Sequence, residues 1–367
     1  MNRLFGFFKK NIVMTIALAA ALVTSVFVPP DREYISYFDF KTLSCLFCVL
    51  AVVCAFKNIN FFYILAKKIV TVFKSTRYSI LALIYITFIG SMLIANDMAL
   101  ITFLPLGYFV LSTTGNRRHM AFTFIMQNIA ANLGGMLTPF GNPQNLYLYT
   151  RFAIPNGEFV RIMLLPFVIS VALITLCCFL VENKPMTIED EDDAKLPKIR
   201  AIAYSILFAL SIAIVFRTIP YVVGLVITPL VLVFMDKKAL KMVDYPLLLT
   251  FVFFFVFSGN LSRVEVVRKL FSFLLEKSTL IFGTLSCQII SNVPSAILLS
   301  QFTDNYRDLL IAVNIGGVGT LIASLASLIT FREYTLHNPE KSKQYIFLFS
   351  AFNFAFLAIL LVSMLIL

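Results

Sequence analysis

Charge is what this chain has least of. Only 13% of its 367 residues are Asp, Glu, Lys or Arg, against 60% hydrophobic, and the mean hydropathy is +0.91. A soluble globular domain carries about a quarter charged residues, so that class is excluded and a polytopic, all-α membrane protein takes its place. Histidine is scarcer still. His119 and His337 are the only two, and both fall at the ends of apolar segments, which leaves a buried acid/base centre without its commonest partner. Six cysteines (Cys45, Cys48, Cys54, Cys177, Cys178, Cys287) all lie within apolar runs, so Cys45-x-x-Cys48 reads as small lipid-buried residues rather than a metal or redox pair. No enzyme and no cofactor is expected.

Acidic residues are outnumbered, 19 against 30, for a net charge of +11. The basic residues are scattered in short loops, where cytoplasmic retention of Lys and Arg explains them and nucleic-acid binding does not. The acidic run Glu189-Asp190-Glu191-Asp192-Asp193 lacks the spaced ligands and glycine turn of a cation site and reads as a solvated linker. The first apolar segment is led by Arg3, Lys9 and Lys10, as a signal peptide is. Its end, Ser25-Val26-Phe27-Val28-Pro29, lacks a small-x-small cleavage pattern, so it counts as a membrane helix.

A hydrocarbon core of roughly 30 Å needs about 20 apolar helical residues. That measure predicts crossings at 11–28, 38–56, 119–150 (interrupted), 159–181, 199–216, 219–235, 245–258 (a short run), 308–330 (interrupted) and 344–367. The apolar stretches 78–111 and 279–302 carry polar breaks, Ile94-Ala95-Asn96-Asp97 and Ile290-Ser291-Asn292-Val293-Pro294, and read as re-entrant hairpins. With a cytoplasmic N-terminus this reading puts two thirds of the 30 Lys and Arg inside and the C-terminus outside. A full crossing at 78–111 would instead put Arg117 and Arg118 outside, against the positive-inside rule.

Each hairpin is followed by an Asn-x-Gly-Gly segment, Asn132-Leu133-Gly134-Gly135 and Asn314-Ile315-Gly316-Gly317. Asn96 and Asn292 are 196 residues apart, Gly134 and Gly316 182. Four crossings, one linking helix and four more crossings make an inverted-topology repeat: 1–181 and 219–367, joined by the acidic loop and linking helix 182–218. Amphipathic stretches at 59–75 and 261–277 precede the hairpins and suit helices lying in the interface.

The breaks carry the chemistry. Pro139 cannot continue a helix, Gly141 permits an unusual turn, and Asn142-Pro143 caps and restarts one; Ser291 and Asn292 before Pro294 repeat the device. Restarting helices aim N-terminal N–H groups and partial positive charge at the membrane interior, a receptor for an anion with no Lys or Arg nearby. Helices ending at Asn96, Thr138 and Ser291 leave carbonyl oxygens free. With the amide oxygens of Asn96, Asn142 and Asn292 and the Asp97 carboxylate, these form a hard-oxygen set for sodium, or for a proton on Asp97. Asp97 is the one carboxylate expected inside the membrane, at a cost on the order of 2.5–3.5 kcal/mol, and reads as a coupling site or as a structural hydrogen-bonding group. Gln127, Asn128 and Asn132 read either as interhelical bonds or as substrate contacts, and Gly316, Gly317, Gly319 and Thr320 as a close-packing patch or a second broken helix.

The runs Ala95-Asn96-Asp97-Met98-Ala99-Leu100, Asn132 through Asn145 with its Gly141-Asn142-Pro143-Gln144-Asn145, and Ser291-Asn292-Val293-Pro294 resemble the ion transporter superfamily, nearest its citrate and arsenite permeases and related to the divalent anion:sodium symporters. The resemblance covers nearly the whole chain. It implies an inverted-repeat, usually dimeric fold in the cell membrane, with an elevator-type mechanism. On it, a small inorganic or carboxylate anion would meet Asn142, Pro143, Asn145, Ser291, Asn292, Val293, Gly316, Gly317 and Thr320. The coupling ion, sodium or a proton, would meet Asn96, Asp97, Thr138, Gly141, Asn142 and Asn292. The symporters carry Ser-Asn-Thr at both hairpin tips. Losing threonine at both puts dicarboxylate recognition in doubt, and Asp97 is more like the arsenite or sodium/proton exchangers. An arsenite or sodium/proton antiporter, a channel and an intramembrane enzyme are the competing expectations.

Overall fold

The computed structural model describes residues 11–186 and 196–367. The acidic run Glu189 to Asp193 lies outside them, as do Arg3, Lys9, Lys10 and Lys195. The described chain is helical throughout, its only β feature an isolated bridge between Ser75 and Pro185. Hydrocarbon offers the backbone no hydrogen bonds, so a chain this apolar satisfies its N–H and C=O groups within helices.

The first half comprises α1 (Ile12–Phe27), α2 (Phe40–Asn58), α3 (Phe61–Thr71), α4 (Thr76–Ile94), α5 (Asn96–Thr113), α6 (Met120–Gly134), α7 (Pro143–Arg151) and α8 (Asn156–Phe179). The linker is α9 (Lys198–Val215). The second half comprises α10 (Tyr221–Met235), α11 (Tyr245–Arg263), α12 (Glu265–Ile290), α13 (Asn292–Leu299), α14 (Tyr306–Ile315), α15 (Leu325–His337) and α16 (Ser342–Ile366). Polar side chains set many starts: Asp39, Ser75, Asp244, Asn305 and Ser324 each accept a hydrogen bond from a first-turn N–H, replacing a partner the helix cannot supply.

Among the described residues seven helices are long and apolar enough to cross a membrane, α4 and α12 among them. Both nonetheless turn back, at Ala95 and Ser291, and pack against α5 and α13 respectively. The stretch 261–277 corresponds to the first piece of α12, which Ser278 (φ −167°, ψ 101°) separates from the hairpin arm. The Ser278 hydroxyl accepts from the N–H of Ile281 at 3.1 Å, capping the resumed helix as Ser75 caps α4.

Two boundaries differ from expectation. The run at 245–258 continues as α11 to Arg263, because Asn260 Nδ2 donates to the hydroxyls of Thr24 and Ser25 on α1 at 3.3 and 3.2 Å. Polar residues that end an apolar run are here buried against a neighbouring helix. Helix α15 runs past 330 to His337, whose ring stacks on Tyr108 of α5 at 3.6 Å.

The halves interlock. Helices α4, α5 and α6 pack together, as do α12, α13 and α14; α15 then packs on α5 and α6, and α7 on α13 and α14. Each broken helix thus finishes against the other half's hairpin. Outside this core, α1 packs on α11 and α2 on α10.

Loop contacts sort the connections onto two ends. At one end Arg118 pairs with Glu182, the N–H of Thr76 donates to Lys184 O, and Asn338 reaches Met120. At the other, Arg263 pairs with Asp31, Tyr306 donates to Glu158, and Arg217 lies over the Tyr149 ring. The first hairpin opens toward the former end. The second opens toward the latter, where Tyr147 meets Ser300 and Gln301.

Candidate functional site

Eight helix ends converge where the hairpin tips meet the two loops. Helices α4, α6, α12 and α14 end there, and α5, α7, α13 and α15 begin there. Four N-termini supply N–H groups and four C-termini supply carbonyls, so the same small region suits an anion and a cation.

Local geometry repeats between the halves. The residue before each tip asparagine holds a backbone conformation that is essentially glycine's alone: Ala95 at φ 65°, ψ 151° and Ser291 at φ 75°, ψ 158°. Such a residue costs about 1–3 kcal/mol and persists where the surroundings over-determine it. Next, each asparagine oxygen accepts from the following N–H, Asn96 from Asp97 at 3.0 Å and Asn292 from Val293 at 2.9 Å. In the loops, Thr138 donates to Met92 O at 2.8 Å and Thr320 to Gln288 O at 3.0 Å, pairs related by the sequence offsets already noted. The residues before the restarts, Asn142 (φ −137°, ψ 143°) and Ser324 (φ −148°, ψ 143°), correspond in backbone, but only Ser324 caps its helix through its side chain; Asn142, expected to cap α7, does not.

The two halves are joined by amides. Asn96 Nδ2 donates to Asn132 Oδ1 at 3.1 Å. Asn142 Nδ2 reaches Asn132 O at 3.3 Å and Asn314 Oδ1 at 3.4 Å, and Asn314 Nδ2 donates to Asn145 Oδ1 at 2.6 Å. A Cβ on Gly317 would lie 3.1 Å from Asn292 Nδ2 and 3.4 Å from Asn132 Oδ1, so this glycine brings the second loop against both. All six asparagines are buried. No Lys or Arg is among their described hydrogen-bond partners.

Two oxygens of the residues expected here are buried without a partner, Asp97 Oδ1 and Asn142 Oδ1, and so are Gln144 Oε1 and Ser295 Oγ in the first turns of α7 and α13. An orphaned acceptor in a low-dielectric site is costly, and a cation or a proton relieves it. The oxygen-only donor set therefore fits sodium, with the Asp97 carboxylate also able to take a proton.

Other expected residues divide by role. Thr138, Thr320 and Asn145 are committed to loop structure, Asn145 Nδ2 lying 3.1 to 3.3 Å from the carbonyls of Gly135, Met136 and Thr138. Gly141 permits loop closure, since a Cβ would fall 2.4 Å from Gly135 O. Gly316 packs on Cys287, as Gly134 packs on Ser91. Pro143 starts α7, and Ser291 donates to Ala323 O at 3.2 Å. Gln127 ties both hairpin arms to α6 through Thr87 and Phe103 O, and Asn128 ties α6 to Ser327 of α15. Both are interhelical bonds, whereas Asn132 belongs to the cluster. Val293 sits where the first half has Asp97. Asn314 and Gln288 are additions. The Asn-x-Gly-Gly repeat pointed to Asn314; nothing in the sequence singles out Gln288, whose counterpart is Met92.

Phe140 carries the first loop against the linker, its ring 6.5 Å from Phe208 of α9 and 6.0 Å from Phe216 just past its end.

Comparison with known proteins follows the same lines. Residues 4–306 match the family model described as citrate transporter. An uncharacterized transporter of Methanocaldococcus jannaschii is 34% identical over 322 residues, covering 87% of this chain and 88% of that protein. Inner membrane protein YbiR of Escherichia coli is 26% identical over 319 residues, 84% of each. A shorter match joins it to arsB of Dictyostelium discoideum, 23% identical over 170 residues, 46% of this chain and 30% of that protein.

Proposed function

Since this chain belongs to the citrate transporter family, a family of membrane transporters and not of enzymes, we propose that it carries a small anion or oxyanion, such as a carboxylate, across the cell membrane in symport with sodium or protons. The observation that carries this reading is the meeting of both hairpin tips and both loops in one buried amide cluster with two unpaired oxygens. The substrate lies against Asn292, Gly317 and the N-termini of α7 and α13, which offer N–H groups without a fixed counter-cation. The coupling ion lies at Asp97, Asn96 and Asn142.

The halves form an inverted-topology repeat, a reading supported by the matched tips, restarts and threonine bonds and by hairpins that open to opposite ends. Two hairpins and two broken helices move together past a frame containing α1, α2, α10 and α11, in the manner of an elevator, and the chain works as a homodimer. The N-terminus is cytoplasmic and the C-terminus outside, in line with the basic loops.

Uptake of radiolabelled citrate, succinate, sulfate and arsenite into proteoliposomes, under separate sodium and proton gradients, tests the reading. Saturable accumulation driven by one gradient is expected, and Asp97→Asn should uncouple it. Accumulation unchanged by Asp97→Asn would remove the coupling role. A second reading, arsenite export or sodium/proton exchange, is favoured by the carboxylate at the first tip, and outward flux against an imposed proton gradient would replace symport with it.

A further inference from the structure

The two breaks are completed by different means, and Gln288 is the difference. Its side-chain nitrogen lies 3.3 Å from Thr284 O, 3.0 Å from Gly316 O and 3.2 Å from Val318 O, while its oxygen accepts from the N–H of Thr320 at 2.9 Å. Three carbonyls on one side and one N–H on the other fix which end is the nitrogen. Three carbonyl oxygens turned toward one centre is also how a protein presents itself to a hard cation.

The loop is shaped to admit this amide. Gly319 has φ 127°, and a Cβ there would fall 2.1 Å from Gln288 Oε1. At the matched positions the first half has Met92 and Leu137, two apolar side chains. The first break instead keeps two unpaired acceptors, Asp97 Oδ1 and Asn142 Oδ1. Their second-half counterparts are not orphaned: Val293 has no acceptor, and the Ser324 hydroxyl accepts from the N–H of Ala326 at 3.1 Å; the unpartnered group past the second tip is a neutral hydroxyl, Ser295 Oγ, where the first half has Ala99.

We infer that the Gln288 amide is a built-in stand-in for a cation at the second break, holding that loop together permanently. An exchangeable ion is then left to the first break alone, a count that rests on the function proposed above; the role of Gln288 does not.

Gln288→Glu tests it on the full-length protein in detergent. The exchange keeps the shape and the acceptor for Thr320 but turns an acceptor toward the three carbonyls, whose repulsion a bound cation relieves. Binding of sodium-22 per chain should rise by one over wild type, and melting temperature should become more dependent on sodium against choline chloride. An unchanged count overturns the inference. If Gln288→Glu is recovered in no salt, Gln288→Met decides: a loss of melting temperature that sodium, lithium or potassium restores upholds the stand-in, and an equal loss in every salt leaves only a brace. The wild-type count speaks separately, since no bound sodium there removes sodium as the coupling ion without touching the gain expected of the variant.

Discussion

The tip of the second hairpin is tied to its loop by more bonds than the tip of the first. Asn292 N–H donates to Ala323 O at 2.9 Å and the Ser291 hydroxyl to the same oxygen, while the loop beyond is filled by Gln288. The first tip is joined to α6 through one side-chain bond, from Asn96 to Asn132, and bears a carboxylate with an unpaired oxygen. The tip dihedrals match closely, so the contrast lies in one backbone bond and in the side chains. The two breaks share a backbone frame and differ in how it is filled: the Gln288 amide occupies the second loop, while the first keeps the unpaired oxygens of Asp97 and Asn142.

The sharpest way to test this contrast is Gly141→Ala. The equivalent position already carries a Cβ, as Ala323, but at Gly141 it would press on the carbonyl of Gly135. A loss of about 3 kcal/mol or of folded protein is expected from the overpacking, read as melting temperature; a silent change would mean the first loop accommodates a Cβ as the second does at Ala323. Val293→Asp restores symmetry at the tips. It should cost about 2.5–3.5 kcal/mol, and an undiminished melting temperature would show the second tip to be as accommodating as the first.

Asn96→Ala leaves Asn132 Oδ1 without its partner, at about 1–3 kcal/mol. It should shift the ion dependence of transport, whereas Asn292→Ala should raise KM for substrate with the ion dependence unchanged. Equal effects on both would erase the division of labour.

The smallest effect lies outside the site, where α1 meets α11. Arg263 donates to Asp31 at 2.7 Å, and that bond is the main reason the Asp31 carboxyl sits below its usual range. A carboxyl lowered on folding contributes stability above its unfolded value of 3.8 and loses it as pH falls through the lower folded value. Asp31→Asn should therefore melt slightly below wild type near neutrality and match it in strong acid.

Much of this was legible in the chain. Hairpins, breaks and restarts follow from Pro139, Pro143, Pro294 and the glycines, because backbone rules are local. The shared asparagines were legible because the repeat shows them twice. Gln288 was not, since a polar residue one turn before a tip reads as part of an apolar arm until the second loop folds around it. Nor could spacing distinguish Asn128, used to bind α15, from Asn132, used in the cluster: one helical turn carries both, and Asn128 meets Ser327 of the second half whereas Asn132 meets Asn96 and Asn142 of its own.

Ala95 and Ser291 have a consequence for anyone engineering this protein. A search for stabilised variants would be drawn to Ala95→Gly and Ser291→Gly, which relieve backbone strain for a gain on the order of 1 kcal/mol. Those substitutions would also free the turns that hold Asn96 and Asn292 in position. Selection for thermostability and selection for turnover should therefore pull in opposite directions at these two positions.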